Sequence, residues 1–277
     1  MFLVVGANGQ LGNELRLLLK QDAAYVDRDE LDITDKNAVL SFVSPAKYQA
    51  VINCAAYTAV DKAEDEEALA RKINVEGPEN LALTGVPLIH ISTDYVFDGH
   101  KCTPYTENDA TNPQSAYGRT KLAGEKAVLD IADTAIIIRT AWLYSEFGNN
   151  FVKTMRRLGS ERDNLNVVFD QVGTPTYAKD LAQAIVEILP QIKAGTKAVY
   201  HFSNEGVCSW YDFAVEIMHQ SGVSCRVNPI ESFQYPTKAI RPFYSVLNKG
   251  KIKSDFGISI RHWQVALREC IKNMENM

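Results

Sequence analysis

Cysteine is scarce and unpatterned in this 277-residue chain: Cys54, Cys102, Cys208, Cys225 and Cys270 are odd in number and never fall as Cys-x-x-Cys. That excludes a disulfide framework and the usual zinc spacing, and it fits reduced thiols and a cytoplasmic setting. Neither sign of charge dominates. Lys and Arg total 29 against 34 Asp and Glu, a net charge of −5, so the basic surface of a nucleic-acid or membrane-surface binder is missing. No apolar run approaches the roughly 20 residues of a membrane span. The chain enters its first apolar strand without a basic leader, so neither secretion nor membrane insertion is expected. There is no internal repeat, low-complexity tract or clear linker. The length suits one large domain or two smaller ones around a substantial core.

What is present begins with Phe2–Val5, a short apolar run of the kind a buried parallel strand shows. It passes straight into Gly6-Ala-Asn-Gly9-Gln-Leu-Gly12 and then a helical stripe through Leu15, Leu18 and Leu19. Strand, glycine turn and helix in that order let a pyrophosphate approach the backbone at the positive end of a helix dipole. The spacing G-x-x-G-x-x-G is a variant of the dinucleotide fingerprint. A second strand over 24–27 ends on Asp27, placed to accept from the adenosine ribose, which favours NAD. Arg28 follows, either against a 2′-phosphate or as a solvated charge. Asp32-Ile-Thr-Asp35 leads into a short helix with Thr34 or Asp35 as its N-cap.

Residues 50–56 read as a third strand ending on small side chains, and 60–82 as a helical stretch whose first charges form a solvated face. Residues 86–91 are a fourth strand, with His90 assigned to the core, and it emerges at Ser92, Thr93 and Asp94. Ligands gather at the carboxyl ends of strands in a doubly wound sheet, so polar residues there carry weight. The stretch from Asp98 to Pro113 reads as an irregular surface loop or flap. A helix over 117–128 and a strand over 133–139 follow. The pattern describes an α/β fold: a Rossmann-type doubly wound parallel sheet over 1–145, with 146–277 mainly a smaller C-terminal substrate-binding lobe, some of it returning to the core. In that half, 166–169 and 199–202 read as strands, 178–189 as a helix with one apolar face, and Ser209 to Asp212 as a capping box. A final helix starts near His262. Arg241 and Lys249 are cations in an undistinguished region.

Tyr117 and Lys121 are four apart and so share one face of their helix. A free phenol titrates at about 10. An ammonium beside it favours the phenolate and draws that value toward the working pH, where proton transfer to or from an oxygen is efficient.

The glycine turn, the Ser92/Thr93 pair and Tyr-x-x-x-Lys, in this order, resemble the extended short-chain dehydrogenase/reductase family. Six segments are similar, in order, to its branch of dTDP-4-keto-sugar reductases. They are Val60-Asp-Lys-Ala-Glu64, Ser92-Thr-Asp-Tyr-Val-Phe97, Tyr117-Gly-Arg-Thr-Lys121, Arg139-Thr-Ala-Trp-Leu-Tyr144, Gly148-Asn-Asn-Phe151 and Asp170-Gln-Val-Gly-Thr-Pro-Thr176. The likeness covers most of the chain, up to Arg241-Pro242. It implies reduction of the 4-keto group of dTDP-4-dehydro-6-deoxy-L-mannose to dTDP-L-rhamnose, with NADPH or NADH as hydride donor.

By the same resemblance, Tyr117 protonates the carbonyl oxygen, Lys121 holds the nicotinamide ribose and lowers the tyrosine pKa, and Thr93 hydrogen-bonds the carbonyl. Gly6, Gly9, Gln10, Leu11 and Gly12 form the pyrophosphate turn. Asp27 meets the adenosine ribose, Asp32 and Ile33 the adenine edge, and Ala55, Ala56 and Tyr57 line the cofactor channel. Asp94 and Trp142 contact the nucleotide-sugar, Trp142 equally well being a core aromatic. Asn149, Asn150 and Lys153 are diphosphate or base contacts, or caps. Some members of the group are dimers linked by magnesium through acidic residues of the second half. No such ligand set is evident here, so no metal is assigned and a homodimer stays open. Two other readings share the fold: a nucleotide-sugar epimerase or dehydratase, and a non-catalytic regulatory subunit of methionine adenosyltransferase.

Overall fold

Apolar residues on both faces of the strands build the centre of the molecule, a computed structural model describing residues 1–276. The first half alternates β1 (Phe2–Val5), α1 (Gln10–Leu19), β2 (Ala23–Val26), α2 (Lys36–Phe42), β3 (Val51–Asn53), α3 (Glu67–Arg71), α4 (Gly77–Ala82), β4 (Leu88–Thr93), α5 (Ala116–Ile131) and β5 (Ala135–Thr140). The second half adds β6 (Leu143–Tyr144), α6 (Phe151–Glu161), β7 (Asn164–Val168), β8 (Val172–Gly173), β9 (Thr176–Tyr177), α7 (Ala178–Ile188) and β10 (Lys197–His201). It closes with β11 (Cys208–Ser209), α8 (Trp210–Gln220), β12 (Arg226–Ile230), α9 (Gly250–Phe256) and α10 (Trp263–Glu275).

Six strands form one parallel sheet in the order β2-β1-β3-β4-β5-β10. Side chains alternate across it. Val4, Ile52, Ile89, Ile136 and Ile138 face one layer, where Leu15 of α1 and Leu181 and Ile185 of α7 pack. Leu3, Val5, Val51, Leu88 and Ile137 face the other, with Val39 of α2, Leu81 of α4 and Val128 of α5. This is the expected doubly wound α/β sheet, and it changes direction between β1 and β3, where such sheets open a crevice. A separate core of Tyr144, Tyr177, Phe213, Ile217, Trp263 and Leu267 gathers α8 and α10. No helix among the described residues is long and apolar enough to cross a membrane.

One expectation is corrected. The stretch 60–82 is not one helix but a 3-10 turn at Lys62–Glu64, α3, a π turn at Lys72–Glu76, and α4. Pro78 lacks an amide hydrogen, and its ring would crowd the Asn74 carbonyl in a regular helix, so the turn widens. That carbonyl presses on α5 at Gly124, where a Cβ would lie 2.0 Å away. The loop after Asp98 is irregular and mostly at the surface, as expected, and it is anchored at Tyr105. Tyr105 stacks on Phe97 with ring centroids 4.2 Å apart, donates its amide to Val246 at 2.8 Å and accepts from Asn248 at 2.7 Å.

Arg139 of β5 and Glu125 of α5 form a buried ion pair at 2.7 Å, and Ser92 of β4 donates to the same carboxylate. Replacing Glu125 with Ala strands the guanidinium, so urea unfolding should show a loss of about 3–5 kcal/mol. His90 and His201 are also buried, and desolvation holds both imidazoles below their usual range, His201 at about 3. The folded-state values lie below the unfolded ones, so this stability is complete above about pH 6.5 and lost as the pH falls. Denaturation series should show a decline below that pH, by up to ~1.4 kcal/mol per unit per histidine, and His201→Asn should flatten it.

Candidate dinucleotide and substrate cleft

The three glycines after β1 do three different jobs. Gly6 has φ +74°, and a Cβ there would lie 2.6 Å from the Ala55 amide, so only glycine fits the turn. Gly12 sits where a Cβ would meet the Gly6 carbonyl at 2.5 Å, which lets α1 pack onto its own turn. At Gly9, the N-cap of α1, a Cβ would meet only the Gly6 carbonyl, at 3.3 Å, and no side chain caps the helix. An open, uncapped helix start is what an anionic pyrophosphate fits.

A cleft of about 980 Å³ runs from this turn along the carboxyl ends of the strands. Of the residues expected there, Gly6, Gly9, Gln10, Leu11, Asp27, Asp32, Ile33, Ala55, Ala56, Thr93, Asp94, Tyr117, Lys121, Trp142 and Asn149 line it. Asp27 accepts from the Asn8 amide at 2.9 Å and the Arg28 amide at 2.8 Å, fixing the turn from just beyond β2. Arg28 reaches the mouth with its side chain 80% exposed, 3.7 Å from Asp32. The Asp32 carboxylate closes a turn by accepting from the Thr34 hydroxyl and amide, bonds that lower its pKa, and Asp35 takes the cap of α2.

Four expected residues lie elsewhere. Gly12 is buried in α1, packed onto the turn. Tyr57 donates its hydroxyl to Glu66, and its amide is held by Asn74. Asn150 caps α6 through the Lys153 amide at 3.1 Å and donates to Gln10 at 3.0 Å. The Lys153 ammonium donates to the Gly148 carbonyl at 3.1 Å.

The chemistry-bearing residues meet where β4 ends and α5 begins. Ser115 caps α5 at the Gly118 amide, and Glu64 accepts from the Ala116 amide at 2.8 Å. Glu64 is thus a helix-end acceptor and not part of a solvated face. Tyr117 in the first turn and Lys121 one turn later project together, as their spacing requires. Lys121 is buried and donates to the Ile91 carbonyl at 2.6 Å. Burial pulls its pKa down to about 8. Burial also raises the Tyr117 hydroxyl above its usual range, against a smaller opposing effect of Thr93, and Lys121 is not among the groups that shift it. In this structure burial outweighs any depression of the tyrosine by the lysine, whose ammonium donates to the Ile91 carbonyl. Thr93 donates to Asp94 at 2.9 Å and accepts from the Tyr95 amide at 3.2 Å. Burial pushes Asp94 up to about 6.

Trp142, after β5, has φ +49°, a strained conformation for a bulky residue, and stacks on Trp210 of α8 with centroids 3.6 Å apart. Gly173 lies under it, where a Cβ would meet the indole at 2.8 Å. Both tryptophans line the cleft. Sequence reasoning missed Trp210, Tyr95 and Arg241 as lining residues. Trp210 hid inside a helix-capping signal and Arg241 in a segment without pattern, whereas Tyr95, one residue past Asp94, was within reach of the strand-end argument. No group of three or more His, Cys, Asp and Glu that could hold a metal occurs among the described residues.

Fold and cleft together define a doubly wound α/β protein of the short-chain dehydrogenase/reductase kind. The family described as RmlD substrate binding domain matches residues 1–276. A dTDP-4-dehydrorhamnose reductase from Aggregatibacter actinomycetemcomitans is 43% identical, over 96% of each chain. The crystal structure of the Bacillus anthracis dTDP-4-dehydrorhamnose reductase in complex with NADP superposes with a TM-score of 0.94 at 38% identity, covering 98% of both chains. A dTDP-4-keto-6-deoxy-D-glucose reductase from Streptomyces niveus is 40% identical, over 97% of this chain and 95% of its own. The chain belongs to the dTDP-4-dehydrorhamnose reductase (RmlD) family of NAD(P)-dependent dTDP-sugar reductases.

The glycine geometry separates binding from folding. Gly9→Ala should stay within about 0.5 kcal/mol of wild-type stability, yet lose roughly tenfold or more in NADPH affinity, about 1.4 kcal/mol. Gly12→Ala should cost about 1–3 kcal/mol of stability by overpacking. Fluorescence titration and urea unfolding of both variants check this, and unchanged NADPH affinity in Gly9→Ala would contradict it.

Proposed function

We propose that this protein reduces the 4-keto group of dTDP-4-dehydro-6-deoxy-L-mannose to dTDP-L-rhamnose with NADPH or NADH. The observation that carries the reading is the meeting of Thr93, Tyr117 and Lys121 at one strand end, on a cleft that begins at an uncapped glycine turn. A bound reduced nicotinamide supplies a hydride to C4 of the sugar. Tyr117 gives its hydroxyl proton to the carbonyl oxygen as that charge develops, and its burial keeps the proton in place until then. Lys121 holds the nicotinamide ribose. Thr93 accepts from the Tyr95 amide and gives its one hydroxyl proton to Asp94 in this structure; with the sugar bound, it turns that proton to the same carbonyl oxygen. Gly9, Gln10 and Leu11 hold the pyrophosphate, Asp27 the adenosine ribose, Asp32 and Ile33 the adenine edge, and Ala55 and Ala56 the channel wall. Asp94, Trp142 and Asn149 face the nucleotide-sugar. Asp27 favours NADH and exposed Arg28 favours NADPH, so the ratio of rates with the two cofactors measures which side chain dominates.

Two observations favour reduction over dehydration or epimerisation. Asp94 is buried beneath Thr93 and shares its hydroxyl. The next residue is Tyr95, which packs edge-on against Tyr117 at 5.4 Å and offers no second carboxylate to remove water. A reductase consumes its cofactor at each turnover, whereas an epimerase or dehydratase returns it. A regulatory subunit needs none of Thr93, Tyr117 and Lys121. Undetectable turnover together with co-purification of a synthetase would favour that reading instead.

Tyr117→Phe should bind NADPH as wild type does and lose turnover by about 10²–10⁴-fold, the usual share of one acid–base group. Lys121→Ala should lose both affinity and rate. Near-normal turnover in Tyr117→Phe would remove that residue from the mechanism.

A further inference from the structure

Tyr95 is held at four points. Its amide donates to the Thr93 hydroxyl at 3.2 Å. Its carbonyl lies against α5 at Gly118, where a Cβ would come within 2.3 Å. Its ring meets Tyr117 edge-on, centroids 5.4 Å apart and planes 76° apart. Its hydroxyl accepts from Arg241 Nη1 at 3.3 Å. Arg241 comes from a segment 146 residues further along, and its Nη2 pairs with Asp61 at 2.6 Å. Asp61 also accepts from the Ala239 amide at 3.1 Å, and Lys238 pairs with Asp65. At the other end of this strap, Pro242 rests on Gly99, where a Cβ would come within 2.6 Å, and the Tyr244 amide donates to the Gly99 carbonyl at 3.1 Å. Residues 238–244 thus cross from the loop holding Asp61 to the loop holding Gly99, and both Arg241 and Tyr95 face the cleft.

We infer that Arg241 and Asp61 are positioning residues that act through Tyr95: the strap they fasten fixes the Tyr95 ring as the wall that orients the Tyr117 hydroxyl toward the reacting carbonyl. The inference rests on Tyr117 being the proton donor. The first turn of a helix leaves a tyrosine ring room to pivot about its side-chain torsions, and the Tyr95 ring, edge-on at 5.4 Å, is one of the groups packed beside it. A displacement of about 1 Å at a reacting group costs on the order of 10²-fold in rate. The Arg241–Asp61 pair is 26% and 44% exposed and contributes little to stability, so breaking it should be felt in the chemistry and not in the fold. The planar fork of arginine presents separate, fixed donors to Asp61 and Tyr95 at once, whereas an ammonium is a single compact point with rotatable donors.

Two measurements decide the matter. With NADPH and the 4-keto dTDP-sugar, Arg241→Ala and Asp61→Asn should each lower kcat by about 10- to 100-fold with the melting temperature and NADPH affinity unchanged. Their double variant should be no worse than Arg241→Ala alone, since both break one link. Arg241→Lys and Tyr95→Phe should fall between these and wild type. In protein carrying ¹³Cζ-tyrosine and no substrate, the Tyr117 resonance, assigned with Tyr117→Phe, should shift and titrate differently in Arg241→Ala and Asp61→Asn. If Asp61→Asn keeps wild-type kcat while Arg241→Ala raises only KM, Arg241 binds substrate directly and the inference fails. An unmoved Tyr117 resonance also overturns it, whatever the reaction. Wild-type enzyme that leaves NADPH unoxidised, with the resonance shifting as expected, would instead remove the assigned reaction and leave the mechanical link standing.

Discussion

The seating of α5 against the carboxyl end of β4 is the contact on which the rest depends. It is made by side chains too small to obstruct it and by charges too deeply buried to be left unpaired. Gly118 admits the Tyr95 carbonyl and Gly124 the Asn74 carbonyl, while Arg139, Glu125 and Ser92 join β5, α5 and β4 inside the protein. A buried ion pair of this kind is weak evidence of net stability, but it is costly to break and so fixes which parts lie beside one another. With α5 held there, Tyr117 and Lys121 have one place to go: the strand end where Thr93 emerges and the crevice of a doubly wound sheet opens.

The electrostatics follow from that burial. A phenol taken out of water resists ionisation, and an ammonium taken out of water gives up its proton more easily. Tyr117 and Lys121 both show this, with the lysine at about 8 and tied to the Ile91 carbonyl. The surroundings thus keep the tyrosine protonated, the state that the proposed reduction of a carbonyl calls for. The nearby Asp94, raised to about 6 by the same burial, accepts from the Thr93 hydroxyl.

Much of this was legible in the residues because it is local. Strand, glycine turn and helix are contiguous, and each glycine meets its constraint within the turn or against Cys54 and Ala55, just beyond β3. Tyr117 and Lys121 share a face by helical periodicity alone. What was not legible is what distance brings together. Arg241 reaches Tyr95 and Asp61 across the cleft, and Trp210 slides under Trp142, with no local pattern to announce either. Spacing also says that two side chains share a face without saying where their polar ends settle, which is why Lys121 serves a backbone carbonyl and Glu64 closes the end of α5. The widened turn at Lys72–Glu76 was written in Pro78, whose missing amide hydrogen and ring cannot be fitted to a regular helix.

The most direct test of the central claim follows the hydride itself. Wild-type protein is given a 4-keto dTDP-6-deoxy sugar and NADPH carrying deuterium at the transferable position of the nicotinamide, and the product is read by NMR and mass spectrometry. The account predicts one deuterium at C4 of dTDP-L-rhamnose for each cofactor oxidised. Deuterium retained on the nicotinamide, or a product labelled elsewhere in the sugar, would contradict it.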